Sequence, residues 1–341
     1  DIMKIKSVPQ IIKYNIYDSN DALSIPFLFT VVPTNDDDLF NKGIIYVLQK
    51  LVPEFKDATL ENVKFKYFSE GISNKLLCLT NNLTGFKVNI RIYGGFTEYI
   101  VDRTVELIVM KTSPNIKVYG RFLNGIIYSY IEGRTFCLGD LIDINTFNQT
   151  TKTIANYHKL KPKITKTPLL FVTLRKWLAN LPLEYIDPNK KPYDLNKLKT
   201  ELIFLEKNLK NKSKVVFCHN DLLLKNFIKD CENIYIIDYE HSFYNYQAFD
   251  IANHFNEWCG FDLNWDNYPN EDTQRRFLTE YCKNYYDQGE EELTNEINKL
   301  IEDIKWFELA SNYFWGVWAL IQEALSTIDV DYVNYGNAKL N

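Results

Sequence analysis

The 341-residue chain has no C-x-x-C pair, no Gly/Ser-rich linker, no internal repeat and only 10 alanines. Its six cysteines, at 78, 137, 218, 231, 259 and 282, lack paired spacing. A disulfide framework and a zinc site are therefore excluded, and the cysteines read as buried reduced thiols. No long Lys/Arg cluster occurs and the formal net charge is −5, which argues against a dedicated nucleic-acid or anionic-membrane binder. The longest apolar stretch, Ile25 to Pro33, is too short to span a bilayer, and no opening segment reads as a signal peptide. A cytoplasmic protein without a stable membrane anchor is the expectation. With 24% charged and 46% hydrophobic residues, disordered and fibrous classes fall away, and the length suits two domains or one large two-lobed domain. The scarcity of alanine is set against 35 asparagines, so Asn must occur inside helices and strands as well as in loops, and propensity is a weak guide.

What is present falls into two textures. Asp36 to Leu51 reads as an acid-capped amphipathic helix, with apolar residues at Leu39, Ile44, Val47, Leu48 and Leu51. Val63–Phe68, Leu76–Thr80 and Phe86–Tyr93 read as strands, the last two joined by the turn Asn81-Asn-Leu-Thr-Gly85. A helix over Tyr99–Lys111 and strands over Ile116–Phe122 and Gly125–Ile131 follow. After Glu132-Gly133 long helical patterns take over, including a stripe of Leu195, Leu198, Leu202, Leu205 and Leu209. Short strands at Val215–Cys218 and Asn233–Ile237 interrupt them. The expected fold class is α+β (α/β two-lobed): a mixed-sheet N-terminal lobe over 1–132 and a mainly helical C-terminal lobe over 133–341.

Chemistry concentrates where those two strands end. Val215-Val-Phe-Cys-His-Asn-Asp221 delivers His219 and Asp221, Asn226 follows five residues later, and Ile234-Tyr-Ile-Ile237 ends in Asp238. Read as one small hairpin, the pair would gather three oxygen ligands at one end, a donor set suited to Mg²⁺ beside substrate phosphates. The spacing matches the H-R-D-x-x-x-x-N loop and later metal-binding Asp of protein kinases, which makes Asp221 the base and puts Asn226 and Asp238 at the metal. The alternative is a capped turn with no chemistry. Other kinase parts are missing. Tyr239-Glu240 stands where Phe-Gly would, no Ala-Pro-Glu closes an activation segment, and the phosphate-loop candidate Ser69-Glu-Gly-Ile-Ser-Asn-Lys75 has one Gly. Without a platform for a peptide, a small hydroxylated substrate is expected.

The run Ile237-Asp-Tyr-Glu-His-Ser-Phe-Tyr-Asn-Tyr-Gln-Ala-Phe-Asp-Ile-Ala-Asn-His-Phe-Asn-Glu-Trp258 resembles the choline/ethanolamine kinase family. So do His219-Asn-Asp221, Gly71-Ile-Ser-Asn74, Arg91-Ile-Tyr-Gly94 and Trp315-Gly-Val-Trp318, in the family's order. The resemblance implies a protein-kinase-like fold that uses ATP and Mg²⁺ to phosphorylate a small amino alcohol, with members that pair as homodimers. It implies that Gly71, Ser73 and Asn74 lie in the turn over the phosphates, and that Arg91 takes the place of the kinase lysine with Glu106 as its helix partner. A solvated helix face is the other reading of Glu106. Tyr130 and Ile131 fall in the connection between lobes, where backbone groups would meet adenine.

A cationic substrate needs acidic and aromatic walls, and the C-terminal third offers Glu257, Trp315, Trp318, Tyr332 and Tyr335. The family match assigns Trp315, Trp318 and Tyr335 to the amine pocket; core packing is the other reading. Where choline kinases tend to carry a polar stretch with Gln and an aromatic ring, this chain has Leu222-Leu-Leu-Lys225 and Val330, so the resemblance is nearer to ethanolamine kinases and implies ethanolamine before choline. The expected activity is ATP:ethanolamine O-phosphotransfer, giving phosphoethanolamine for phosphatidylethanolamine synthesis. Choline kinase, an aminoglycoside-like small-molecule phosphotransferase and an inactive kinase-shaped scaffold are the rivals. Asp250 is expected to brace the catalytic-loop backbone, and His241 and His254 are assigned no chemistry.

Overall fold

A computed structural model describes residues 9–18, 20, 24–68, 74–182, 193–231, 233–326 and 330–341. The N-terminal lobe comprises β1 (Phe27–Leu28), α1 (Asp37–Leu51), β2 (Val63–Phe68), β3 (Asn74–Asn81), β4 (Lys87–Tyr93), α2 (Arg103–Thr112), β5 (Val118–Phe122) and β6 (Gly125–Ser129). The C-terminal lobe continues with β7 (Arg134–Thr135), α3 (Leu138–Ile142), α4 (Ile144–His158), α5 (Leu170–Asn180) and α6 (Leu195–Leu209). Then come β8 (Val215–Cys218), β9 (Phe227–Lys229), β10 (Ile234–Ile236), β11 (Phe243–Tyr246), α7 (Gln247–Asn256), α8 (Glu271–Tyr285), α9 (Glu290–Leu325) and α10 (Tyr332–Leu340). The two-lobed α+β architecture is as expected. Among the described residues no helix is long and apolar enough to cross a membrane.

The six-stranded sheet runs β1-β5-β6-β4-β3-β2, antiparallel except for the β1–β5 pair. Asp36 caps α1 by accepting from the Leu39 N–H at 2.9 Å, with Asp37 and Asp38 in the first turn where the helix dipole favours anions. Its buried face is Phe40, Ile44, Ile45, Val47 and Leu48, which pack with Leu77, Leu79, Val88, Ile90 and Ile92 of the sheet. Leu39, expected inside, is 51% exposed, because Phe40 fills the first inward position instead. Alternation along β4 sends Val88, Ile90 and Ile92 into that core. Arg91, registered between Leu76 of β3 and Ile126 of β6, therefore points to the opposite face, toward the cleft.

A second, larger core belongs to the helices, with α9 as its spine. It also takes in Val105 and Leu107–Met110 of α2 and Ile126 of the sheet, so the two lobes share apolar contacts behind the cleft. Trp177, fully buried on α5, donates its indole N–H to the Ile100 carbonyl at 3.0 Å. Each fully buried large apolar side chain contributes roughly 1.5–3 kcal/mol. The segment 9–18 lies against this lobe as well: Gln10 and Asn180 exchange hydrogen bonds at 2.9 Å, and Tyr17 bridges to Ile164.

The expected hairpin of catalytic strands does not form. β8 pairs antiparallel with β11, and β10 pairs with β9, whose other neighbour is β7. Both partners were missed because β9, at three residues, and β11, four residues of Phe-Tyr-Asn-Tyr beside a helical run, are too short to show periodicity. Gly133 sits where the lobes join, at φ +135°, and a Cβ there would stand 2.5 Å from the Lys229 carbonyl oxygen, so only glycine fits. All six cysteines are free; Cys78, Cys218, Cys259 and Cys282 are buried as expected, whereas Cys137 and Cys231 are exposed.

Candidate active site

Two loops meet at the floor of the cleft. The loop after β8 carries His219, Asn220 and Asp221, and its backbone is held from below by α7. Asp250 accepts from the His219 N–H at 2.7 Å and the Asn220 N–H at 2.6 Å. Asn253 accepts from the Leu222 N–H at 2.7 Å, and His254 Nδ1 bonds the Leu222 carbonyl at 3.0 Å. The bracing expected of Asp250 is therefore direct, and His158, at 2.9 Å from the same carboxylate, fixes it in turn. Burial lowers the His219 pKa, keeping the ring neutral, so its Nε2–H donates to the Ile237 carbonyl at 2.9 Å and ties this loop to the next.

Asn226 completes the join. Its Nδ2 donates to the Asp221 carbonyl at 2.8 Å and to Asp221 Oδ2 at 3.0 Å, which leaves its side-chain oxygen for a hard cation. The Ile237 N–H donates to the Asn226 carbonyl at 2.9 Å, setting Asp238 beside it. Asp238 itself adopts φ +63°, the left-handed region that L-residues enter at a cost. That backbone turn swings its carboxylate out of strand geometry into the cleft, where the Arg91 guanidinium donates to Oδ1 at 3.0 Å.

The wall opposite is a chain of charges. Arg91 pairs with the buried Glu106 of α2 as well as with Asp238. Arg103 donates to Glu106 Oε2 at 2.8 Å and to Glu240 Oε2 at 2.9 Å, so both lobes are joined by two arginines. Glu106 is thus no solvated helix face. Asn74 opens β3 instead of lying in a turn. Its side chain accepts from Gly94 N and Arg103 and donates to Glu240 at 3.2 Å. Gly71 and Ser73 lie outside the described residues. Tyr130 and Ile131 sit half-buried in the connection after β6.

Charge balance decides what this cleft accepts. The Arg91 and Arg103 guanidinium groups pair with Glu106, Asp238 and Glu240, and the Lys339 ammonium pairs with Glu257, so with Asp221 five carboxylates stand against three cations. Burial, then Glu257, Asp238 and Glu240, hold Asp221 well above the ordinary carboxylate range. Withdrawal from water and the neighbouring Glu240 also raise Asp238, although Arg91 and Arg103 pull against them. Burial would raise Glu240 too, but Arg103 and its neighbours outweigh it and bring Glu240 below the usual range. Oxygens of Glu106, Asp238 and Glu240 lie within 4.8 Å of one another. Excess negative charge on hard oxygen donors fits a divalent cation such as Mg²⁺. The Nε–H groups of Arg91 and Arg103 are buried without a hydrogen-bond partner among the described residues.

Away from the charges the cleft turns aromatic. Trp315 and Trp318, one helical turn apart on α9, meet edge to face at 5.4 Å, and Trp315 also meets His241 at 5.1 Å. The Trp315 indole N–H is buried without a partner among the described residues. Tyr335 stacks on Phe261 at 4.2 Å, and its hydroxyl pKa is raised by burial and by the nearby Glu257 and Asp221. Tyr332 is only 1% exposed, packed behind Trp318 at 6.0 Å. The structure thus gathers Asp221, Asn226, Asp238, Arg91 and Glu106 around one point, with Glu257, Trp315, Trp318 and Tyr335 at its aromatic end. Sequence reasoning missed Arg103 and Glu240. Glu240 had a signal, a second acid two residues after Asp238, whereas Arg103 lies in an ordinary helical first turn.

Residues 65–341 match the family model described as choline/ethanolamine kinase. A probable ethanolamine kinase A from Dictyostelium discoideum is 34% identical over 322 residues, covering 89% of this chain and 91% of that protein. A Plasmodium vivax ethanolamine kinase structure superposes with a TM-score of 0.77 at 27% identity, covering 90% of this chain and 88% of the other. A choline kinase structure from Cryptosporidium parvum has a TM-score of 0.73 at 22% identity, covering 89% and 93%, and shares the fold.

Proposed function

The chain belongs to the choline/ethanolamine kinase family, and from that membership we propose that it is an ATP-dependent ethanolamine kinase, transferring the γ-phosphate to the ethanolamine hydroxyl. The observation that carries this reading is the joining of Asp221, Asn226 and Asp238 at one cleft floor beside an aromatic, acidic pocket. Asp221 accepts the proton of the attacking hydroxyl, and Asn226 orients its carboxylate. Arg91 and Arg103 face the phosphate side, Arg91 held in place by Glu106. Asn226 and Asp238 would hold Mg²⁺, which when bound neutralises the charge on the phosphates. Positioning and charge neutralisation supply the rate, since phosphoryl transfer needs little covalent help from the protein. Residues 1–132 act as the nucleotide lobe, with Gly71, Ser73 and Asn74 at the phosphate side and the backbone of Tyr130 and Ile131 at adenine.

Glu257, Trp315, Trp318 and Tyr335 form the amine site, with Tyr332 as support for Trp318. A cation over an aromatic face gains about 0.5–2 kcal/mol. Half-buried Leu223 and Val330 leave fewer polar and aromatic walls than a trimethylammonium wants, whereas a primary ammonium donates hydrogen bonds to carboxylates. The product would be phosphoethanolamine for phosphatidylethanolamine synthesis. Six free thiols support a reducing, cytoplasmic setting. The test is Mg²⁺-dependent ADP release with ethanolamine and choline side by side. A tenfold kcat/KM preference for ethanolamine, about 1.4 kcal/mol, is the expected result; preference for choline overturns the substrate, and silence with both overturns the activity.

A further inference from the structure

Lys339 stands where an ammonium is seldom found. Its side chain is 1% exposed on α10, and its Nζ donates to Glu257 Oε1 at 3.2 Å. The same Nζ lies 5.6 Å from the centre of the Tyr335 ring, whose stacking partner is Phe261. Glu257 is in turn the foremost charge raising Asp221, so one salt bridge links the last helix to the base. The helix that carries Lys339 has little room to shift. A Cβ on Gly336 would stand 3.1 Å from the Gly316 carbonyl oxygen of α9, and one on Gly316 would stand 2.6 Å from Leu340 Cγ. Two glycines therefore let α10 and α9 approach closely and fix where the ammonium sits. A buried ion pair adds little stability that apolar packing could not match. Its placement beside the base points to geometry.

We propose that Lys339 is a positioning residue of the amine site, occupying one oxygen of Glu257 so that the other is aimed at the substrate ammonium. The inference rests on the amine-site reading of Glu257 given above. A carboxylate fixed through one oxygen presents its other oxygen to a donor in a set orientation. A primary ammonium donates an N–H bond to that oxygen; a trimethylammonium has no N–H and senses the carboxylate only through its net charge, besides the aromatic faces around it. Lys339 also offsets the Glu257 charge, which lowers the attraction for a quaternary cation. Both effects favour the donor-bearing substrate, without Lys339 touching it.

The test is the Lys339→Met variant of the full chain, assayed with ethanolamine, N,N-dimethylethanolamine and choline at saturating ATP and Mg²⁺. The expected result is a tenfold or greater rise in KM for ethanolamine, with a smaller rise for the dimethyl compound. KM for choline is expected to stay unchanged or fall, while KM for ATP and kcat stay within about twofold. Lys339→Arg should restore most of the ethanolamine KM. Equal shifts for all three amines, or a lowered Tm with no KM change, overturn the proposal. Should Lys339→Met fail to fold, Glu257→Gln combined with Lys339→Met leaves no lone buried charge. The double variant is expected to match Glu257→Gln alone, and a further independent loss overturns the proposal. A wild-type protein inert toward all three amines defeats the amine-kinase reading and this inference together. A wild-type protein that turns over ethanolamine while Lys339→Met changes the amines equally defeats the inference alone.

Discussion

The two ends of the cleft are built on different physics. At the end proposed for phosphate, charged groups far apart in sequence fix one another, Arg91 to Asp238 and Arg103 to Glu240, and Glu106 joins the two arginines from α2. Each hydrogen bond there needs one residue type in one place, because an unmatched buried charge is costly. At the amine end, Trp315, Trp318, Tyr332 and Tyr335 meet at ring distances of 4.2–6.0 Å with each other and with Phe261. Such packing tolerates exchange of one ring for another of similar size. Under the proposed function, the first end would set whether the reaction proceeds and the second which amine is held. The comparison teaches that substitutions should divide the same way, between kcat and the KM for the amine.

The sharpest test of the first half is Asp221→Asn. Removing a positioned base costs about 10²–10⁴-fold in rate, so kcat should fall by that factor while KM for the amine and Tm hold. The pH profile follows from the same residue. Its pKa is raised in the free protein, so the active, deprotonated form is lost as pH falls through a value above the usual carboxylate range. The acid limb of kcat/KM should sit there, and should move down as Mg²⁺ is raised, because a nearby cation favours the carboxylate. A limb at an ordinary carboxylate position would remove Asp221 from the base role. Next in size is Arg91→Met. It removes one of the two guanidinium partners of Glu106, whose fully buried side chain then keeps only Arg103, and breaking a buried pair outright costs about 3–5 kcal/mol, the upper bound here. Tm should drop and KM for ATP should rise; a change in amine KM alone would break the division between the two ends.

The same contrast explains what could be read from the sequence. That Asp221, Asn226 and Asp238 come together was legible because they stand at a fixed spacing at two strand ends. Glu106 was ambiguous, since a helical Glu with Arg103 three residues before it looks like a surface pair until the sheet supplies Arg91. The pairing of β8 with β11 was invisible, because a strand of four residues carries too little periodicity to announce a partner. Lys339 left no trace at all: its neighbours Asn337, Ala338 and Leu340 make a helix end like any other, and only the Gly316–Gly336 crossing shows that its ammonium is enclosed. Trp315 and Trp318 could be seen, but spacing of three residues serves a core as well as a pocket.

Trp315→Ala addresses that ambiguity. Loss of a cation–π wall worth about 0.5–2 kcal/mol should raise KM for ethanolamine some 2- to 30-fold with KM for ATP unchanged. Truncating a core tryptophan with no pocket role would lower Tm and leave the two KM values in step. A paired measurement of Tm and both KM values separates the outcomes.

Val330→Phe should have the smallest effect and gives the finest division. Val330 is half-buried beside α10 and packs against the helical core, so a larger side chain has an exposed direction in which to extend. A ring there would supply a wall that a trimethylammonium can use. A partly exposed cation–π contact is worth about 0.5–1 kcal/mol, so choline kcat/KM should rise some two- to fivefold. Ethanolamine, which the proposed site would hold through N–H bonds to Glu257, should change by less than twofold. The ratio of the two kcat/KM values is the decisive quantity, because any general disturbance of α10 moves both amines together and leaves it constant. An unchanged ratio with both activities lowered would mean that residue 330 packs the helix and does not face the amine, and selectivity would then rest on Leu223 and the Glu257–Lys339 pair.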